Sequence, residues 1–273
     1  MFSNIKSKIV GLVGVMLIAF LLSGCSLINE KVSVDFGESE KMQEIQARGK
    51  LIVGSDVPYG VMEYVNEAGE FDGVDVAIAR EIAKAMEVEL EFVDYGWDEL
   101  FEAIENDKID LAMSSITITP DRAKEMLFSS PYFIGGQAML VEVNNSEILL
   151  PEDMRANNIG VQGGTTGEEE ANKYGDESTI FLYDSYEDVD GKAGGITDLV
   201  AGEIDVFVVD YVAAADIANK NELVKLVGEP FTQEFYGIAT HLDNKELILG
   251  VNKVIRILKE DGVLKKIEGK YIK

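Results

Sequence analysis

Positive charge is scarce in this chain of 273 residues. Its 24 lysines and arginines face 50 aspartates and glutamates, a formal net charge of −26. So acidic a surface repels nucleic acid and anionic lipid headgroups, which excludes partners recruited by overall charge. The plain use of the excess is solubility; a sharper one is weak, salt-screened steering of cationic ligands. Histidine occurs once, as His241 beside Leu242-Asp243-Asn244 in a surface-turn context, and cysteine once, as Cys25. Without a Cys/His cluster no metal site is expected. A lone cysteine excludes an intrachain disulfide, so stability must come from packed layers. No Walker loop or Gly-x-Ser-x-Gly elbow occurs, and no cofactor is expected. Hydrophobic residues nevertheless make up 47% of the chain, too many for a disordered one. The length suits one large domain or two smaller ones.

The one long apolar run is at the amino terminus. Lys6 and Lys8 precede an almost wholly apolar or small stretch from Ile9 to Leu22, followed by Ser23-Gly24-Cys25. This pattern reads as a signal peptide over residues 1–24. The run is short for an uncleaved membrane span, which is the alternative. Leu22-Ser23-Gly24-Cys25 resembles a bacterial lipobox. That resemblance implies a lipidated Cys25 as first mature residue, held on the extracytoplasmic face of the cell membrane by lipid rather than by charge. Losing Lys6 and Lys8 takes the net charge to −28. Residues 25–39 read as a polar tether.

Beyond the tether, strand-like and helix-like segments alternate. Leu51–Gly54, Leu90–Val93 and Ile109–Met113 read as strands. Helical spacing covers Val74–Met86 and the segment around Leu100, Phe101 and Ile104. After Gly135-Gly136 the alternation restarts, with strands at Asn158–Val161, Thr179–Leu182, Asp205–Val209 and Tyr236–Ala239. Helices are expected from Gly163-Gly164 through Ala171, and at 196–201, 211–219, 245–259 and 263–268. Ala138–Val143 suggests a crossover strand. The pattern is α/β with mostly parallel sheets, and two βα sets suggest two lobes.

Four segments carry candidate binding chemistry. Ser114-Ser115-Ile116-Thr117 follows a buried strand, where open α/β sheets bind ligands. Thr119 and Pro120 read as the N-cap and first residue of a helix, placing Arg122 in its first turn. A helix dipole disfavours a cation there, so Arg122 calls for an anion, by its fork geometry a carboxylate; pairing with Asp121 or Glu125 is the plainer alternative. Gln162-Gly163-Gly164-Thr165-Thr166-Gly167 opens a helix with N–H groups that suit a carboxylate or phosphate, or is an ordinary cap. Asp210 ends a buried strand, where a carboxylate needs a cation such as an ammonium, unless it only caps the next helix. Asp56 and Tyr59 follow the first strand. Tyr59 and Trp97 could sandwich a side chain, or pack in the core.

Taken together, these segments resemble the family 3 solute-binding proteins, the polar amino acid–binding components of bacterial ABC importers. The resemblance covers nearly all of the mature chain. It rests on Leu51–Asp56, Phe71–Val76, Lys108–Ala112, Thr117–Arg122, Phe128–Tyr132, Gly164–Gly167, Gly202–Asp205 and Tyr236–Ala239. Ser130, Ala77 and Val61-Met62 depart from the usual pattern. The resemblance implies the two-lobed type II periplasmic-binding-protein fold, with two crossover strands and a ligand cleft between lobes. Lobe one would hold residues 40–131 and 237–273 and lobe two residues 137–231, with hinges near 132–136 and 232–236.

By position, Arg122 would clamp a ligand α-carboxylate with help from Thr117, Thr165 and Thr166. Asp210 would take the α-ammonium, assisted by Ser115, while Tyr59, Trp97 and Asp56 would hold the side chain. Ser114 and Gln162 complete the expected ligand-binding set. Asp56 as an acceptor, with a Ser114-Ser115 pair resembling that of basic amino acid binders, favours a basic amino acid over glutamine; cystine is a further alternative. The expected partners are a small-molecule amino acid and an ABC permease, with a monomeric chain acting as a receptor rather than an enzyme. Cyclohexadienyl and arogenate dehydratases, which resemble this fold, are the rival class.

Overall fold

The computed structural model describes residues 34–188 and 191–272. The expected signal peptide and Cys25 lie outside the described residues. Helix α1 (Glu40–Arg48) leads into β1 (Lys50–Ser55), the hairpin β2 (Tyr64–Val65) and β3 (Phe71–Asp72), α2 (Val74–Ala85), β4 (Glu89–Asp94), α3 (Trp97–Glu105) and β5 (Leu111–Ala112). The single turn α4 (Arg122–Glu125) and β6 (Met126–Phe128) follow, then β7 (Phe133–Gly135), β8 (Gln137–Glu142), β9 (Ile159–Gln162), α5 (Thr166–Ala171), β10 (Ile180–Tyr183), α6 (Gly195–Ala201) and β11 (Val206–Asp210). The chain closes with α7 (Tyr211–Lys220), β12 (Val224–Val227), β13 (Glu234–Tyr236), β14 (Ala239–His241), α8 (Lys245–Glu260) and α9 (Val263–Tyr271).

Two five-stranded sheets result, in the orders β4-β1-β5-β14-β6 and β10-β9-β11-β8-β12. Strands joined through helices pair in parallel, as β1 does with β4 and β5, and β9 with β10 and β11. β14 and β8, the strands that enter each sheet from the link between lobes, run antiparallel to their neighbours. Both sheets are therefore mixed. Side-chain alternation builds a core on each face. Leu51 and Val53 of β1 meet Ile78, Ile82 and the apolar stripe Leu247, Val251, Val254 and Leu258 of α8. Ile52 turns the other way, toward Leu100 and Ile104 of α3. The second sheet is covered likewise, by Phe207 and Ala213 on one face and Val161, Val206 and Met154 on the other.

Several expected elements differ. Ala138–Val143 is not a crossover. β8 is buried from Gln137 to Val141 and paired on both sides, which only an interior strand can be. The link is instead the two-stranded pair β7–β13, in which Phe133 faces Tyr236 and Gly135 faces Glu234. Tyr236–Ala239 is not one strand: the Gly237 N–H bonds to the Ile116 carbonyl at 2.9 Å, and the chain passes there from the link into the first sheet. Ile109–Met113 contracts to Leu111–Ala112. The tether does not run free to Ser39, because Phe36 is buried against α8.

Gly135 is required by close approach. A Cβ there would stand 2.2 Å from the Tyr236 hydroxyl oxygen. Gly135→Ala must push Tyr236 aside, and overpacking of this kind costs about 1–3 kcal/mol. Chemical denaturation of this variant should show that loss at an unchanged m-value.

Candidate functional site

The cleft between the sheets gathers residues from the carboxyl ends of parallel strands, where open α/β sheets place their ligands. Asp56 follows β1, Ser114 and Ser115 follow β5, Gln162 ends β9 and Asp210 ends β11. With Tyr59, Trp97, Thr117, Arg122, Thr165 and Thr166, all eleven candidate binding residues line one pocket. Gln137, Val208 and Val209 join them and were not anticipated. The walls leave about 30 Å³ between them, room for a water or two.

Arg122 is held differently from expectation. Its helix is a single four-residue turn, too short for a meaningful dipole; Thr119 accepts the Arg122 N–H on its hydroxyl at 3.2 Å and the Ala123 N–H on its carbonyl at 3.0 Å. The guanidinium donates to the Thr117 carbonyl at 3.0 Å and, across the cleft, to the Gly164 carbonyl at 3.2 Å. Its carbon lies 5.3 Å from the centre of the Trp97 ring and 5.6 Å from that of Phe101, within cation–π range. Burial lowers its pKa, partly offset by Glu169, Glu234 and Asp210. Among the described residues no carboxylate lies within ion-pair distance of it, so the plainer partners Asp121 and Glu125 are not used. Asp121 pairs with Lys124 instead.

Asp210 begins α7 by position, yet its carboxylate makes no cap bond. It accepts from Gln137 Nε2 at 2.7 Å and from the Tyr59 hydroxyl at 2.8 Å. Burial raises its pKa to about 7, with Glu234 adding to the rise and Tyr59, Tyr236 and Arg122 opposing it. Asp56 accepts from Gln162 Nε2 at 2.9 Å. Burial raises its pKa to about 6, opposed by the Gln162 bond and reinforced by Asp94, Glu99 and Asp98. Ser115 takes a left-handed conformation, φ +50°, uncommon outside glycine and found at functional sites. Its N–H donates to Asp75 at 3.0 Å, while its buried hydroxyl has no hydrogen-bond partner among the described residues.

Three buried acids at this site were not anticipated from the sequence. Glu234, on β13, accepts through one oxygen from Thr117 of the first lobe at 2.5 Å and Thr166 of the second at 2.9 Å. Its other oxygen accepts from Gln137 at 3.1 Å. A carboxylate on the linking pair thus holds both walls. Glu63 and Asp75 lie behind the serines, Glu63 bonded by Ser114 at 3.0 Å and Asp75 by Tyr132 at 2.8 Å. Burial pushes both upward, and Asp75 pushes Glu63 further. Acids within otherwise apolar segments were the only available signal.

Two lobes on a two-stranded link, meeting at a polar cleft with a half-buried cation and several buried carboxylates among the described residues, define a two-lobed binding protein of the type II periplasmic-binding-protein fold. The chain belongs to the bacterial extracellular solute-binding proteins, family 3, whose model matches residues 51–273. It is 30% identical to the L-cystine-binding protein TcyJ of Escherichia coli (strain K12), over 95% of this chain and 94% of that protein. A mutant of ArgBP from T. maritima is 33% identical, with TM-score 0.78 over 85% of this chain and 98% of its own. AncCDT-1, an ancestral amino acid-binding protein described as a precursor of cyclohexadienyl dehydratase, is 32% identical, with TM-score 0.76 over 85% of this chain and 99% of its own. Further curated relatives are named arginine-, histidine- and glutamine-binding proteins, the last of an ABC transporter.

Proposed function

We propose that this protein is a lipid-anchored extracytoplasmic receptor for a cationic amino acid, which it delivers to an ABC importer. The distribution of charge in the cleft carries this reading. Among the described residues Arg122 is the only cation lining the pocket, and it is the group suited to an α-carboxylate. Asp210, within its field, takes the α-ammonium. Asp56 lies instead in the field of Asp94, Asp98 and Glu99. A buried carboxylate among others gains most from a second cation, which arginine, lysine or protonated histidine supplies. Glutamine offers Asp56 only neutral donors. Cystine brings a second carboxylate, for which the described lining holds no second cation. Prephenate carries two carboxylates and no ammonium, so Asp210 and Asp56 would oppose it.

Ligand entry parts Asp56 from Gln162 and Tyr59 from Asp210, and closure rebuilds both walls around the amino acid. The test is mass spectrometry of the small molecule released on denaturing gently purified protein, with prephenate and arogenate turnover assayed in parallel. Arginine, lysine or histidine is expected, without turnover. Released cystine, or turnover of either cyclohexadienyl acid, contradicts the proposal.

The anchor has its own test. Cys25→Ser should abolish acylation and free the protein from the membrane fraction; persistent acylation would contradict the lipobox reading.

A further inference from the structure

The scarcity of positive charge is not uniform. Residues 245–273 hold eight lysines and arginines against four acids, although the whole chain carries −26. Helices α8 and α9 carry most of these cations, and Lys253, Arg256, Lys259 and Lys265 are exposed. Leu249, Lys253 and Arg256 follow one another at three- and four-residue intervals along α8, all exposed. With Ser130, Asn252, Ile255 and Lys259 they line a shallow groove of about 640 Å³. Lys259 also lines a second groove of about 600 Å³, with Lys265 of α9 and with Ile134 and Phe235 of the linking strands. Among the described residues Glu268 is the one acid lining either groove. Ile134 and Phe235 face each other in register, 60% and 42% exposed, and Leu249 is 59% exposed. Large apolar side chains ringed by cations mark an interfacial surface.

The start of the folded chain lies on this same helix. Phe36 packs on α8 so closely that a Cβ at Gly250 would stand 2.0 Å from its ring. Lys253 donates to the Asp35 carbonyl. Val34 is the first described residue, nine positions after Cys25. Nine residues span at most about 32 Å, so an anchor at Cys25 cannot lie far from α8.

We propose that the face made by α8, Lys265 and the exposed residues of the linking strands rests on an anionic lipid surface. Lys253, Arg256, Lys259 and Lys265 would meet the headgroups, while Leu249, Ile134 and Phe235 enter the interfacial layer. The acid-rich remainder turns away from the bilayer. The tether supplies proximity and the basic face supplies orientation, so that orientation rests on the lipid-anchor reading. The attraction is local, because screening confines it to about 10 Å at 0.1 M salt.

Lysine labelling with mass-spectrometric readout tests this on the processed full chain in vesicles of phosphatidylcholine, with and without phosphatidylglycerol. Lys253, Lys259 and Lys265 should label severalfold more slowly on the anionic vesicles, and Lys124 and Lys173 at unchanged rates. The protection should vanish in about 1 M salt, where the screening length is ~3 Å, and in the triple variant Lys253→Glu, Arg256→Glu, Lys259→Glu. Equal labelling on both vesicles overturns the proposal, whether the face is bare or serves a protein partner. Flotation on neutral vesicles reports the anchor alone. Should the anchor fail, co-sedimentation of full-length Cys25→Ser protein decides the face separately. Stronger binding to anionic than to neutral vesicles, lost in the charge-reversed variant, supports the proposal; equal binding overturns it.

Discussion

Arg122→Ala should abolish useful amino acid binding while leaving the fold intact. Its guanidinium sits half-buried between two backbone carbonyls and two aromatic rings, with no carboxylate paired to it among the described residues. A ligand carboxylate supplies that partner. Removing one side of a desolvated charge pair costs on the order of 2–5 kcal/mol, roughly thirty- to several-thousand-fold in affinity. Arg122→Lys should lose most of the same energy, because an ammonium neither forks onto a carboxylate nor reproduces the flat guanidinium's contacts with Trp97 and Phe101. The groups left behind are carbonyls at a cleft wall that water can reach, so thermal unfolding should change little. Calorimetric titration of both variants, beside their melting curves, measures each half of this expectation.

Asp210→Asn should be the second large effect, a loss of about 2 kcal/mol or more on removing the charge partner of the α-ammonium. The wild-type protein should show the same group through pH. Asp210 titrates near 7 in the ligand-free cleft and must lose its proton to hold an ammonium. Affinity should therefore fall as pH drops below 7, by up to about tenfold per pH unit. It should steepen below 6 for cationic ligands, where Asp56 also takes up a proton. In Asp210→Asn the step near 7 should disappear. Stability of the ligand-free protein should run the opposite way. Asp56, Asp75 and Asp210 all have folded pKa values raised above the unfolded value near 4. Between about pH 4 and 7 the folded state then binds more protons than the unfolded one, and stability declines as pH rises through that window. Melting temperatures should be higher at pH 5 than at pH 8, with the difference narrowing when ligand supplies the missing cations.

The pocket-lining residues were legible because position in an α/β sheet carries chemical meaning. Asp56, Ser114, Ser115, Gln162 and Asp210 each follow or end a short apolar run, and strand ends are where such folds expose polar groups. Gln137 and Glu234 were not legible, since a polar residue beside a diglycine or within a short link reads equally well as surface. Their importance arises from Thr117, Thr166 and Asp210 being brought to them across more than 60 residues of chain. The division of Tyr236–Ala239 between two sheets was hidden for a similar reason. The apolar pattern continues through Gly237, and only the Ile116 carbonyl that its N–H meets shows where one sheet ends. Arg122 was located correctly from its sequence neighbourhood, but the dipole of its short turn does not account for its placement. The carbonyls of Thr117 and Gly164 do.

The most direct measurement is calorimetric titration of ligand-stripped wild-type protein at pH 8 with arginine, lysine, histidine, glutamine and cystine in turn. The account predicts that a cationic amino acid binds tightest, that the same ligand binds Asp56→Asn at least about tenfold more weakly (a loss of ~1.4 kcal/mol), and that glutamine loses far less in that variant. Tightest binding by cystine or glutamine, or an unchanged affinity for the cationic ligand in Asp56→Asn, would contradict it.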